Sequence, residues 1–371
     1  MKSFDIIYIR YLANNKKEVT KGGVQTYITD LCDVIVKIGG KVRVVQFSDE
    51  DFQYNITDKI NVVGFNIKSR SDSKRVQKLY DAAVRTRKEK NVITIFASDI
   101  MIPSKVYGTC IAIQHGVSWD APKDANHSLV RQVAAKAFSA YKMVKKFRNV
   151  SLLVCVDYNF LNWYRTQVKK VLGNVLVIPN YSRVAPIYEK PCNGVNVIFA
   201  RRLFDYRGTR VFTTAVKRLL DERDNVTVTI SGSGPDENWM KEQLKSYSNV
   251  SFIRYESSES LEIHKDKHIA VVPTVGSEGT SLSLLEAMSA QCAVICSNVG
   301  GLTNIVINGY NGLMVNSGDT DELYEALKKL VDDREFRETI AKNGYETVKC
   351  SFSYERWAEE WKKILLGLKN G

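Results

Sequence analysis

Two glutamates, Glu278 and Glu286, stand eight residues apart in the segment SEGTSLSLLEAM. The apolar run HIAVVPT precedes them and reads as a strand. Gly276 and Gly279 make a loop, and a helical pattern begins at Leu282. If the whole interval were helical, the two carboxylates would be separated by roughly 12 Å along the axis. Such a gap suits two parts of one elongated ligand, not one shared proton. The amides of Gly279, Thr280, Ser281 and Leu282 open the helix, and a helix start attracts anions. Ser283 and Glu286 also have capping-box spacing, so spacing alone leaves Glu286 as either a structural cap or a ligand contact.

A second chemical segment, ARRLFDYRGT, follows the strand-like run VNVIFA. Its arginines present planar forks that match phosphate oxygens. By composition alone they read equally as solvated arginines at a strand end. Weaker signals lie elsewhere. Gly22 and Gly23 open a helical pattern after the first strand, where backbone amides can approach a ligand. Gly232-Ser233-Gly234 ends the strand NVTVTI. His115 ends the strand TCIAI in the run QHGVSWD, with Trp119 and Asp120 just beyond. Asp49-Glu50-Asp51 forms an acidic turn, and His264 and His268 have i, i+4 spacing without a nearby third ligand. Both are read as surface features, and no metal site is expected.

The elements that must position these residues alternate between strand and helix. FDIIYI, KVRVVQF, NVVGF, NVITIFA, GTCIAIQHG and SLLVCV read as strands in the first half. Helical patterns run over 24–38, 73–89 and 127–147. In the second half VNVIFA, NVTVTISG, NVSFI, HIAVVP, CAVICS and GLMV read as strands, with helices over 210–220, 237–246, 282–289 and 321–331. Near-continuous β-branched runs between helices predict parallel, doubly wound sheets. Ligands bind at the carboxyl ends of such strands, where the motifs above fall. The segment VIPNYSRVAPIYEKPCNGVN holds three of the seven prolines and is the expected interdomain joint. The last segment, with Trp357 and Trp361, predicts an amphipathic helix that returns to the first domain.

The combination of EGTSLSLLEAM with AVICSNVGGLTNIVINGYNGLMV resembles glycosyltransferase family four, of the GT-B fold. The resemblance is close in the second half and loose in the first. It implies an α/β chain of two Rossmann-like doubly wound domains with the active site in the cleft between them: an acceptor domain over 1–180, a nucleotide-sugar domain over 181–350 and a closing helix over 351–371. It implies a retaining transfer from a nucleotide diphosphate sugar, a UDP- or GDP-sugar, to a glycan or lipid-linked glycan in surface polysaccharide synthesis. It gives Glu278 to the donor sugar hydroxyls and Glu286 to the ribose. Arg202 and Arg207 take the family's diphosphate-gripping positions, and Arg201 stands where the family has glycine. His115 falls beside the reacting sugar, while Gly22, Gly23 and Gly232 line the donor. Trp119 and Asp120 are candidates for the acceptor. Arginines and helix amides then balance the leaving phosphates, so neither metal nor other cofactor is expected.

Composition narrows the setting. No apolar run is long enough to span a membrane, and seven dispersed cysteines suggest buried free thiols in the cytoplasm. The net charge of +12 attracts anions without naming one. Residues 68–90 carry nine Lys or Arg and three acids, with Val76, Leu79, Tyr80, Ala83 and Val84 on one face. That pattern fits either a helix docked on the sheet or peripheral contact with the anionic inner face of the cell membrane. Other readings are a nucleotide-sugar epimerase of the same fold and a basic nucleic-acid-binding protein. The second lacks the interleaved aromatic and basic motifs of known modules, so no nucleic acid is expected.

Overall fold

A computed structural model describes residues 2–13, 18–20, 22–116, 128–167 and 174–368. Contacts divide the chain into two units. Unit 1 takes the described residues up to His115, those from 128 to Ile178, and those from Ala358 onward. Unit 2 takes Gly116 and Pro179–Trp357.

Unit 1 is built on eight strands: β1 (Ser3–Ile7), β2 (Lys41–Phe47), β3 (Phe52–Asn55), β4 (Ile60–Phe65), β5 (Val92–Phe96), β6 (Cys110–Gln114), β7 (Leu152–Cys155) and β8 (Val175–Val177). Their order is β3-β4-β2-β1-β5-β6-β7-β8. All pairs are parallel except β3 with β4, an antiparallel edge that the alternating pattern did not predict. The acidic turn at Asp49–Asp51 is what turns the chain back into β3. Helices α1 (Gly23–Lys37), α2 (Asp72–Arg85), α3 (Leu129–Phe147) and α4 (Tyr158–Gln167) cross between the strands. The central strands β1, β6 and β7 are buried along their whole length, as strands covered on both faces must be. Helix α2 buries Val76, Leu79, Tyr80, Ala82 and Ala83, so the apolar face of this basic helix is docked on its own unit.

Unit 2 carries six parallel strands in the order β11-β10-β9-β12-β13-β14. They are β9 (Val195–Ala200), β10 (Val226–Ser231), β11 (Val250–Ile253), β12 (Ile269–Val272), β13 (Ala293–Ser297) and β14 (Leu313–Val315). The helices are α5 (Thr209–Glu222), α6 (Glu237–Leu244), α7 (Leu282–Ser289), α8 (Thr320–Asp332) and α9 (Arg334–Ser351). The period-two alternation of β9 sorts two cores. Val195, Val197 and Phe199 pack with Phe212, Leu219 and Leu327 on one face. Ile198 and Ala200 pack with Leu284, Leu285 and Met288 on the other. Strand order reverses between β9 and β12, which is where a doubly wound sheet opens a crevice for a ligand.

The last helix, α10 (Tyr354–Gly367), is divided between the units. Its first turn packs Trp357 against Tyr181 of unit 2, the rings tilted by 35° with centres 4.2 Å apart. Beyond Ala358 it belongs to unit 1, where Trp361 is fully buried and donates its indole N–H to Tyr27 Oη at 2.7 Å. Most of the proline-rich segment packs within unit 2: the Lys190 ammonium donates to the carbonyls of His264, Lys265 and Ala290.

Three expectations need correction. His264 and His268 are buried, not surface features. The His264 ring donates to the Ser260 carbonyl, and His268 joins the Asn196 amide to the Pro191 carbonyl, so both are structural ties. Of the seven free cysteines, Cys192 and Cys350 are exposed and the other five are buried. The capping box at Ser283 does not form, because α7 begins at Leu282 with Ser281 as its N-cap. Glu286 therefore lies mid-helix, free of that structural duty.

Candidate active site

The loop leaving β9 and the loop leaving β12 are tied together at the switch point of the unit 2 sheet. The amides of Val275 and Gly276 both donate to the Tyr206 carbonyl, at 3.0 and 3.2 Å. Gly208, with φ of 86°, closes this approach, since a Cβ there would fall onto the Pro273 carbonyl. From the other side Gly300 and Gly301 press on the second loop. The Gly301 amide donates to the Glu278 carbonyl at 2.7 Å, and a Cβ on either glycine would strike the backbone of residues 278–280. The linker adds Asn180, whose side-chain amide donates to the Thr280 carbonyl at 2.7 Å. This bracing holds one carboxylate in place.

That carboxylate is Glu278, with only 10% of its side chain exposed. It accepts from Arg201 Nη2 at 2.7 Å, from the guanidinium of Arg207, and from Thr274 Oγ1 at 2.9 Å. Arg201 Nη1 in turn donates to Thr274 Oγ1 at 2.7 Å. Burial alone would raise the Glu278 pKa, but the two guanidiniums outweigh it and hold the group at about 2. Two arginines against one carboxylate leave the cluster with one positive charge in excess. Arg201 is itself buried, and its Nε has no partner among the described residues. A shielded, fixed, net-positive cluster at strand ends is suited to receive an anion.

Residues 184–347 match the family described as Glycosyl transferases group 1. The capsular polysaccharide biosynthesis glycosyltransferase CapM of Staphylococcus aureus is 30% identical over 182 residues, which are 48% of this chain and 47% of CapM. The chain spans about half the length of the first curated relatives it matches. A longer match is the Campylobacter jejuni GalNAc-alpha-(1->4)-GalNAc-alpha-(1->3)-diNAcBac-PP-undecaprenol alpha-1,4-N-acetyl-D-galactosaminyltransferase, 22% identical over 95% of this chain and 97% of that protein. The sucrose-phosphate synthase structure from Thermosynechococcus elongatus superposes with a TM-score of 0.80 at 16% identity, covering 99% of this chain and 98% of that one. The fold is GT-B, with two Rossmann-like domains.

Within this group 1 segment the other expected donor residues fall around the same point. Gly279, Thr280 and Ser281 form the short turn between Glu278 and α7, and Leu282 is the first helical residue. Glu286 sits one turn further on. Burial lifts its carboxyl to about 7, with the Ser260 hydroxyl offsetting part of the rise. Burial and the nearby Glu286 together push the Tyr255 phenol up. Gly232 ends β10 against the Arg201 carbonyl, which a Cβ would strike. Arg202 is placed apart from the cluster. It is exposed, with Nη2 3.3 Å from Tyr206 Oη and its guanidinium 5.6 Å from the Phe204 ring centre. Sequence reading passed over Arg201 and Thr274. The signal for Arg201 was its place directly after a buried strand, where an arginine has to find a partner.

Unit 1 brings a second set together. Nε2 of His115 lies 3.0 Å from the Ala97 carbonyl, and since a carbonyl only accepts, this nitrogen carries the proton. Burial lowers the His115 pKa to about 4, so the ring is neutral at physiological pH and Nδ1 is an acceptor. Its ring meets Tyr27 edge-on at 5.0 Å, and Tyr27 is the residue that Trp361 anchors. Tyr27 stands one turn into α1, which opens at Gly22 and Gly23. Trp119 and Asp120 lie outside the described residues. No three His, Cys, Asp or Glu residues converge as a metal-binding group among the described residues.

Proposed function

We propose that this protein is a retaining, metal-independent glycosyltransferase that moves a sugar from a nucleotide diphosphate sugar, a UDP- or GDP-sugar, to a glycan or lipid-linked glycan. The reading is carried by the Arg201–Glu278–Arg207 cluster at the switch point of unit 2. As the glycosidic bond breaks, one further negative charge develops on a departing diphosphate that already carries two. Arg207 supplies one fixed cation, Arg201 a second behind it, and the α7 amides add the helix dipole. Arg202 is a further cation at the solvent side. Preorganised in this way, they need not reorganise during the reaction.

Glu278 fills two roles in this reading. It keeps both arginines in place, and as a permanent carboxylate it accepts hydrogen bonds from donor-sugar hydroxyls. Glu286 faces the ribose, and Gly232 lets the backbone approach the nucleotide. His115, with Nδ1 unprotonated, accepts from a sugar hydroxyl instead of acting as an acid. The acceptor hydroxyl then loses its proton to the leaving phosphate on the same face of the sugar, so no protein side chain becomes covalently attached. Unit 2 serves as the donor domain and unit 1 as the acceptor domain. CapM and the undecaprenol-linked transferase of C. jejuni support a surface-glycan setting.

The test is thermal melting of the full chain with UDP, GDP, ADP, CMP or dTDP, in the presence of chelator. A ligand that binds the folded state raises the midpoint by mass action. One nucleoside diphosphate that shifts the midpoint, with the shift abolished by Arg207→Ala, supports the reading. No shift with any of the five at millimolar concentration overturns it.

A further inference from the structure

Helix α3 differs from the other helices of unit 1 in what it leaves uncovered. Of its 19 residues only Ala140 and Phe147 are buried. Leu129, Val130, Val133, Phe138 and Tyr141 are 76, 79, 57, 58 and 65% exposed. They make up five of the eighteen exposed large apolar side chains among the described residues. Val130, Ala134, Ala137, Phe138 and Tyr141 recur at helical spacing and form one open stripe. The charge on the same helix is of one sign: Arg131, Lys136, Lys142, Lys145 and Lys146, with no acid between 129 and 147. Lys142 reaches over the Phe138 ring, its ammonium 4.2 Å from the ring centre. Helix α2 also carries basic residues, but it holds Asp72 and Asp81 as well, and its apolar face is already buried in its own unit.

We propose that α3 is a lipid-docking helix: it lies on an anionic membrane surface with Val130, Phe138 and Tyr141 in the boundary between headgroups and acyl chains, and Arg131, Lys142 and Lys145 on the lipid phosphates. An exposed apolar stripe flanked by cations is what an interfacial helix needs. Long cationic side chains keep their charge at the headgroups while their stems cover apolar surface. Each cation close to an anionic leaflet strengthens attachment, and the sum falls as salt is added. Charge also selects against a second copy as the occupant, because twofold pairing of this face would set Arg131, Lys142 and Lys145 of one copy against the same three of the other. The inference does not depend on the transfer reaction, and its test reads no turnover.

The full chain is sedimented with phosphatidylglycerol–phosphatidylcholine vesicles and with phosphatidylcholine vesicles alone. Binding to the first and not the second, reversed by high salt, is expected. The triple variant Phe138→Ser, Lys142→Glu, Lys145→Glu should weaken that binding by about tenfold or more. Its melting midpoint should not change, since all three side chains are exposed. Lys74→Glu, Arg75→Glu, Lys78→Glu on α2 removes three positive charges against two in the α3 variant, and should still weaken binding several-fold less. Binding that survives the α3 changes, or that the α2 changes reduce as much, overturns the proposal. So does a lipid-free dimer that the α3 variant converts to monomer, which would give this face to a second copy.

Discussion

The carboxyl edges of the two sheets are electrostatic opposites. At the edge of unit 2, Arg201, Arg207 and Glu278 are all charged and in mutual contact. At the edge of unit 1, His115 is held neutral, and burial raises Asp99 to about 6 even though its carboxylate accepts from the Ile100 amide and the Ser98 hydroxyl. The physical cause differs at each edge. In unit 2 the charges offset one another's loss of water; in unit 1 burial outweighs what opposes it, the Ala97 carbonyl at His115 and, at Asp99, its hydrogen bonds and the Lys146 charge. Charge stored in advance suits a diphosphate, while neutral acceptors and donors suit sugar hydroxyls. On the proposed function, one edge stabilises charge and the other orients it.

The contrast breaks most directly at Arg207. Arg207→Ala should reduce turnover by about 10²- to 10³-fold, the usual loss when one preorganised donor is removed from a developing anion. Glu278→Ala should also cost well over tenfold, because it frees both arginines. The measurement is the initial rate with the nucleotide sugar that the melting screen identifies. Near-normal turnover in either variant would separate this cluster from the chemistry.

A second prediction sets neighbours in sequence against each other. Arg201→Gln leaves Glu278 buried with one partner fewer and should destabilise the chain by about 3 kcal/mol. Arg202→Gln alters an exposed side chain and should fall within about 0.5 kcal/mol. Urea unfolding of the two variants reads the difference. Equal effects would mean that Arg201 is not the fixed member of the pair.

Here the sequence was partly legible, and the reason is local. Strand runs such as VNVIFA and CAVICS carry their burial on both faces, so period and composition name them. Helix α7 begins and ends where its pattern does, at Leu282 and Ser289. Helix α9 was missed because its apolar positions, Ile340, Ala341 and Val348, are sparse among charges, and its stability comes from packing on α7 and β13. The antiparallel β3 has alternate half-exposed residues, too short a run to be told from a turn. At the site, Glu278 and Arg207 were legible from their motif, but which arginine turns inward depends on loop geometry. Arg201 and Arg202 differ by one position, and the bracing from Gly208, Gly232 and Thr274 decides between them.

The third prediction concerns the two glutamates, whose pH linkages have opposite signs. Glu278 is held near 2 against about 4.5 in the unfolded chain. Its contribution is complete above 4.5 and is lost as pH falls toward 2. Glu286 is raised to about 7. Between 4.5 and 7 the folded state then binds the extra proton, so stability declines as pH rises through that window and the full cost is reached above 7. Glu286→Gln should therefore stabilise the ligand-free chain by about 2 kcal/mol at pH 8 and by little at pH 5. Urea unfolding at both pH values checks it. A gain of equal size at both would remove Glu286 as the source.

The smallest effect belongs to unit 1. His115→Ala should lower turnover by about tenfold, roughly 1.4 kcal/mol, through loss of one hydroxyl acceptor. The shape of the pH–rate profile between 6 and 8 should be the same in the variant and the parent, because a ring that titrates near 4 is neutral across that range. Ordinary histidine behaviour would instead put an inflection near 6.5 in the parent, absent in the variant. That outcome would make the unit 1 edge a charged one on the acid side of neutrality, and His115 would then act as a proton carrier. A flat difference keeps it as an orienting acceptor, with its tautomer set by the Ala97 carbonyl and its ring held by Tyr27 and, through it, by Trp361 of the closing helix.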